Sequence, residues 1–395
     1  MRRDGLGALP RLLALLLAAQ AAFAPATAYA ATLDWERWQK IPGVIDVDGP
    51  RSDGSLVVAG SAALYLVDPA GKVAPFARGP GGYHEDAGAE AYLASSPGGT
   101  LGAAGCTFVR DETFLLRLHT PIGVNRVNAA GDESGSFANL PGVTALNGIV
   151  FDTGGAFDHR LLVSGRSGSK TVIFAVDCNG NVQVITRSAP ALEGGLAVAP
   201  TGFGAFGGSL IAPDELSGKI YAITPGGVVS VVARPRLRTG SDIGVESVGF
   251  VPPGFTSRGG SVYYPDRFSR NNPHPGTDSL LRLTSAQLPV DLVRDGDLLV
   301  ATEGGASLVA VRCDPTCAAI PVVTVASKAH GEGHIAFTLN PAQASPTATP
   351  GGARTPSAPF RPPAFVGDWG IPAVAFLILL ALLALLGVQA LRRRR

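Results

Sequence analysis

The chain has 395 residues, 51 of them glycine, and a formal net charge of +1. The basic termini distort that figure. Without Arg2, Arg3, Arg11, Asp4 and the four terminal arginines, 25 of 32 basic and 30 of 31 acidic residues remain, a net charge of −5. A balance of that sign argues against a phosphate-binding surface, so no nucleic acid is expected as a partner.

In chain order, residues 1–30 read as a signal peptide. Arg2, Arg3 and Arg11 supply a positive start, Leu12 to Phe23 an apolar run too short to span a bilayer, and Ala28-Tyr29-Ala30 a small-residue cleavage site. Residues 31–339 are then the folded domain, in which glycine spread along the chain favours many tight turns. Residues 340–368 form a linker dominated by Pro, Ala, Ser, Thr and Gly, a composition that cannot bury a core. Residues 369–391 are apolar apart from Gln389 and long enough to cross roughly 30 Å of hydrocarbon. Arg392 to Arg395 follow as a cytoplasmic tail, with Trp369 at the opposite interface. The expectation is a single-pass membrane protein with its domain outside the cytoplasm. Retention of the N-terminal run as an anchor, and processing of the C-terminal run as a sorting tail, are the alternatives.

Within the domain one unit repeats. Its clearest copy is Glu193-Gly-Gly-Leu-Ala-Val-Ala-Pro200, then Gly207 to Pro213, Gly218 to Thr224 and Gly227 to Ala233. These are four strand-length apolar runs separated by turn formers. Four antiparallel strands in succession make a propeller blade. Unit starts fall at 90, 147, 193 and 246, in steps of 57, 46 and 53, with a further start near 296. That spacing suits propeller repeats with loop insertions. The fold class is therefore all-β, a β-propeller with six blades preferred over five or seven; tandem β-sandwiches explain the repeat less well. Blade five is expected to run from Glu246 through Ser261 to Pro265 and Ser279 to Leu283, and blade six to contain Asp297 to Ala301 and Ser307 to Val311. Ile335 to Leu339 is expected to close the ring onto blade one.

Four cysteines lie in the exported region. An even count in an oxidising compartment points to disulfides. Cys313 and Cys317 flank a turn, Asp314-Pro315-Thr316, which suits a local bridge. Cys106 and Cys178 then form the second pair between neighbouring blades, unless they are separately buried thiols.

The phrases Gly71 to Ala77 and Gly218 to Val232 resemble outer strands of six-bladed propellers of the gluconolactonase, strictosidine-synthase-like and NHL-repeat group. The chain reads as a membrane-anchored bacterial member, which its Arg- and Ala-rich composition also suits. The resemblance implies a calcium ion in the central channel, bound by Glu, Asn and Asp at the starts of the innermost strands. Glu90, Asn147, Glu193 and Glu246 stand at such starts here and are the candidate metal ligands; hard oxygen donors of this kind suit Ca²⁺. The family usually has Asn and Asp where this chain has Glu193 and Glu246, and no counterpart of its catalytic acid-base residue is visible.

His330-Gly-Glu-Gly-His334 has two histidines, but its glycines break the helix a zincin site requires. It reads as the turn before the closing strand. His84-Glu85-Asp86 reads as a solvated loop, and Asn271 to Asp278, preceded by Asp266, Arg267 and Arg270, as a polar contact loop. The leading function is an extracytoplasmic binding or scaffold module for an unknown small-molecule, glycan or protein ligand. The alternative is a calcium-dependent lactonase or esterase with His84 or His334 as base. A quinone-dependent sugar dehydrogenase rests on fold alone.

Overall fold

The computed structural model describes residues 33–85, 89–323 and 327–341. The signal peptide, nearly all of the linker, the apolar segment 369–391, the arginine tail and Asp86 lie outside the described residues. Among the described residues, no helix is long and apolar enough to cross a membrane.

Six four-stranded antiparallel sheets form the six blades. Blade 1 contains Asp46–Asp48, Leu56–Gly60, Ala63–Val67 and Val73–Phe76. Blade 2 contains Leu93–Ser95, Thr113–Arg117, Gly123–Val127 and Ser134–Asn139, and it carries an extra hairpin, Gly99–Leu101 with Cys106–Phe108. Blade 3 contains Ala145–Phe151, Leu161–Ser167, Lys170–Val176 and Val182–Ala189. Blade 4 contains Ala197–Val198, Leu210–Asp214, Lys219–Ile223 and Val229–Ala233. Apolar side chains fill the spaces between blades. One such layer stacks Phe108, Phe114, Phe137 and Phe151 at centroid distances of 4.9 to 6.2 Å, edge-on except for the tilted Phe108–Phe137 pair.

Blades 5 and 6 correct the sequence-based assignment, because their strands interlace. Val245–Phe250 pairs with Leu298–Thr302, which continues to Leu308–Cys313 and Cys317–Val323. Gly260–Asp266 and Ser279–Thr284, expected in blade five, belong to blade 6. There Gly260–Asp266 pairs with Ala336–Leu339, the innermost strand of that blade rather than a partner of blade one. The ring is closed by an N-terminal strand, Glu36–Lys40, which pairs with Ser279–Thr284. An Arg282–Glu36 ion pair of 2.8 Å fastens it, and the Trp35 indole donates to the Ala306 carbonyl at 2.8 Å. Blade 6 is therefore built from both ends of the domain, so closing the ring also joins the ends.

Both disulfides are formed as the cysteine spacing suggests. Cys106–Cys178 joins the blade 2 hairpin to a turn of blade 3, and Cys313–Cys317 closes a hairpin of blade 5.

Candidate functional site

Innermost strands of a propeller run side by side in one direction, so their first residues gather at one end of the channel and their last residues at the other. In this chain polar side chains gather at the entry end, and mostly apolar ones, with Asp48, at the exit end. Two entry residues are aimed by the same device. The ladder of blade 3 slips between Leu146 and Gly148, and that of blade 5 between Val245 and Ser247. Asn147 and Glu246 occupy the resulting bulges, which turn a side chain out of the normal alternation. Between them, the Gly194 amide donates to the Asn147 carbonyl at 3.0 Å, and the Gly195 amide to the Glu246 carbonyl at 3.1 Å. Gly194 has φ +77°, and a Cβ there would strike the Glu246 carbonyl, so the residue after Glu193 is confined to glycine.

The entry residues surround a cleft of about 220 Å³. Six glutamates line it: Glu90, Glu193, Glu215, Glu246, Glu303 and Glu332. Asp242 adds a seventh carboxylate, and Arg267 and His330 are the basic groups on the same wall. Three of the four predicted ligands are thus at this mouth. Asn147 lies beside it, its amide 3.5 Å from Glu193.

Arg267 binds Glu90 and stands 3.1 Å from Glu332. The His330 Nε2 lies 3.0 Å from Glu303 and 3.3 Å from Glu332. Ligand atoms of these last three residues all fall within 4.8 Å of one another, close enough to share one metal ion. The Tyr92 hydroxyl is 2.9 Å from Glu332 and 3.1 Å from Glu246. Its one proton serves one carboxylate at a time.

The crowding shifts proton affinities. Burial raises Glu246, and the charges of Glu332 and Glu303 raise it further. Burial also raises Glu90 and Glu193. Glu215 is pushed up to about 8 by burial and by its contact with Glu303. Glu332 goes the other way: burial opposes its charge, but His330 and Arg267 outweigh that and lower it. Burial likewise opposes a charged His330, yet its bonds to Glu303 and Glu332 push it up to about 10. The consistent assignment has Glu332 ionised and accepting from the Tyr92 hydroxyl, with a protonated Glu246 donating to the Tyr92 hydroxyl oxygen.

The segment His330 to His334, expected to be only a turn, therefore supplies two groups of the mouth. Gly331 bridges to Asp266, and the Gly331 amide donates to the Glu303 carbonyl at 2.8 Å. His334 lies deeper and is 6% exposed, with Nδ1 2.9 Å from Asp46. His84 is exposed and does not line the mouth. Neither expected base is therefore at the cleft, and His330 is the histidine that is. One signal could have found this segment: Glu332-Gly333 repeats the polar-glycine pair of Asn147-Gly148 and Glu193-Gly194. Glu215 and Glu303 follow second strands of their blades and carry no such mark.

Gly331 offers a direct test of how tightly the segment is held. A Cβ there would lie 2.2–2.4 Å from the ring edge and hydroxyl of Tyr264, which is fully buried and has little room to swing away. Gly331→Ala should cost about 1–3 kcal/mol in urea unfolding. A cost below 0.5 kcal/mol, on the order of a neutral surface change, would mean that the segment yields.

No family model matches the chain, and no curated protein sequence does. Among solved structures, virginiamycin B lyase from Staphylococcus aureus is 12% identical with a TM-score of 0.40, covering 76% of this chain and 95% of that chain. A gluconolactonase-like protein is 11% identical with a TM-score of 0.42, covering 76% and 84%. An auxiliary nutrient binding protein from Bacteroides ovatus is 11% identical with a TM-score of 0.41, covering 74% and 62%. At this similarity nothing about activity passes to the present chain.

Proposed function

We propose that this protein is a binding propeller of the cell envelope, tethered by residues 369–391, whose central mouth takes a divalent cation. One observation carries the reading: seven carboxylates line a small cleft against one guanidinium and one imidazole. Carboxylates so crowded either hold protons or hold a cation. The donor set fits an ion. Asn147 Oδ1 and Glu215 Oε1 are buried without a hydrogen-bond donor. Glu90, Glu193 and Glu246 add hard oxygens suited to Ca²⁺. Once His330 gives up its Nε2 proton, Glu303, His330 and Glu332 would form a mixed oxygen and nitrogen set, which widens the choice to Mn²⁺ or Zn²⁺. When bound, the ion would offer a Lewis-acidic contact to an oxygen-bearing ligand at the open side. The chain's own residues orient that contact, with Tyr92 and Arg267 fixing the carboxylates.

A second reading, the lactonase or esterase, is favoured by the His330–Glu303 contact, a carboxylate and imidazole pair inside the cleft. With its proton affinity raised to about 10, His330 is a proton donor at neutral pH rather than a base. Turnover of simple lactones that His330→Gln abolishes would favour this reading over pure binding.

The test is thermal and urea unfolding of the purified protein with calcium, manganese or zinc, and with chelator. An ion at 100 times its dissociation constant should add about 2.7 kcal/mol, and Glu246→Gln should remove most of the gain. If none of the three ions shifts the transition, the cation reading fails.

The pH dependence in chelator has a definite sign. Carboxyls raised on folding keep protons that the unfolded chain has released, so stability falls as pH rises from roughly 4.5, the ordinary carboxyl range, toward the value of about 8 for Glu215. His330 acts in the same direction: its contribution is complete below its unfolded pKa and is lost as pH rises through about 10. The urea midpoint should therefore drop from pH 5.5 to 8.5, and saturating ion should flatten the drop. A midpoint that climbs over that range would overturn the proton assignments.

A further inference from the structure

The exit ends of the innermost strands form a second cavity, a cup of about 290 Å³ at the opposite end of the channel. Its wall is apolar, with Val150, Phe151, Val198, Val248, Phe250 and Phe337 from blades 3 to 6. Two ionisable groups line it, Asp48 of blade 1 and His334.

The charges within the cup do not balance. His334 is committed to Asp46: Nδ1 lies 2.9 Å from Oδ1, and the His334 amide donates to the same carboxylate at 2.6 Å. Asp46 also accepts from the amides of Val47 at 2.8 Å and Leu93 at 2.7 Å. The imidazole of His334 is thus engaged with the Asp46 carboxylate. Asp48 is left with backbone amides, that of Ser95 at 2.5 Å and that of Gly49. Among the described residues it has no ion pair within salt-bridge distance, and no Lys or Arg lines the cup. Burial raises its carboxyl, with His334 as the partial counterweight. A carboxylate in an apolar cavity is normally paired. Ser95 Oγ, on the residue whose amide binds Asp48, is buried with no hydrogen-bond partner among the described residues.

We infer that the cup is a second binding site, for a small amphipathic amine whose ammonium group pairs with Asp48 and whose apolar body lies against the phenylalanines. Aromatic faces and a lone carboxylate are complementary to an organic cation in both parts. A metal ion suits this cavity poorly, because its walls offer few oxygen donors. The site is independent of the cation proposed for the mouth, since the two lie at opposite ends of the inner strands and share no lining residue.

The test uses hexylamine as probe, with hexanol and methylamine as controls, measured by calorimetry on the purified protein in saturating calcium. Hexylamine should bind saturably and at least tenfold more tightly than either control. Asp48→Asn should weaken it tenfold or more, while Glu246→Gln at the mouth leaves it within twofold. Should Asp48→Asn fail to fold, Val198→Trp, which fills the cup from its wall, should abolish binding with the carboxylate intact. Equal affinity for hexylamine and hexanol, no saturable binding, or full binding by the Val198→Trp protein would each overturn the inference. Loss on Glu246→Gln alone would place the amine at the mouth and overturn it as well.

Discussion

Arg267→Ala should destabilise the protein by about 3–5 kcal/mol at neutral pH in the absence of divalent ions, the usual cost of removing one partner of a buried ion pair. Arg267 holds both Glu90 and Glu332, and its side chain is only 20% exposed. Glu332 is 5% exposed and is the carboxylate that the site keeps ionised. Without the guanidinium, its charge is left with His330 and the Tyr92 hydroxyl while four raised carboxyls stand nearby. Two further effects follow from that cause. A group lowered on folding contributes stability above its unfolded pKa and loses it as pH falls, so the gap between parent and variant should shrink toward pH 4. A divalent ion should replace part of the missing charge, so the variant should gain more from calcium than the parent does. Unfolding curves of both proteins, with chelator and with calcium, at two pH values check all three statements. A loss below about 1 kcal/mol, the value of a solvated pair, would mean that water reaches the mouth freely and that the carboxylates need no cation.

The second large effect concerns the longer disulfide. Cys106–Cys178 closes a loop with a sequence separation of 72, and Cys313–Cys317 one of 4. On the loop-entropy account the first stabilises by about 4 kcal/mol and the second by about 2. The long bridge also ties the blade 2 hairpin to blade 3, where the phenylalanine layer lies. Replacing Cys106 and Cys178 together by serine should therefore lower the urea midpoint about twice as far as the Cys313 and Cys317 replacement. An equal or reversed order would show that native-state contacts, not chain entropy, set the contribution. The double replacement should leave the gain from calcium unchanged, because neither cysteine lines the mouth.

Much of blades 1 to 4 is legible in the residues. Each blade there is a local, consecutive set of strands, so short apolar runs and the turn formers between them carry the whole pattern. The same logic fails at blades 5 and 6. Gly260–Asp266 and Ser279–Thr284 are ordinary strand sequences that follow Val245–Phe250 at ordinary spacing. Nothing local marks that they pair instead with Ala336–Leu339 and with Glu36–Lys40, more than 200 residues earlier in the latter case. The closing strand, Glu-Arg-Trp-Gln-Lys, is mostly polar and lies at an edge, so it lacks the apolar run by which the other strands are found.

The candidate site divides along the same line. Glu90, Asn147, Glu193 and Glu246 could be picked out because they open repeating units, and position in a repeat translates directly into position around an axis. Glu303 and Glu215 follow second strands, and His330 and Glu332 precede a strand whose blade was misassigned, so their approach to the mouth depends on long-range pairing. What the sequence by itself determined was the repeat, the turns, the cysteine pairs and a polar residue at the head of four inner strands. All of these are properties of neighbouring residues. Only the tertiary structure decided how the ring closes, which carboxylates share one cleft with Arg267 and His330, and that Asp48 is left without a cation at the far end. Those are sums over charges and surfaces brought together from distant parts of the chain, and burial gives them their strength.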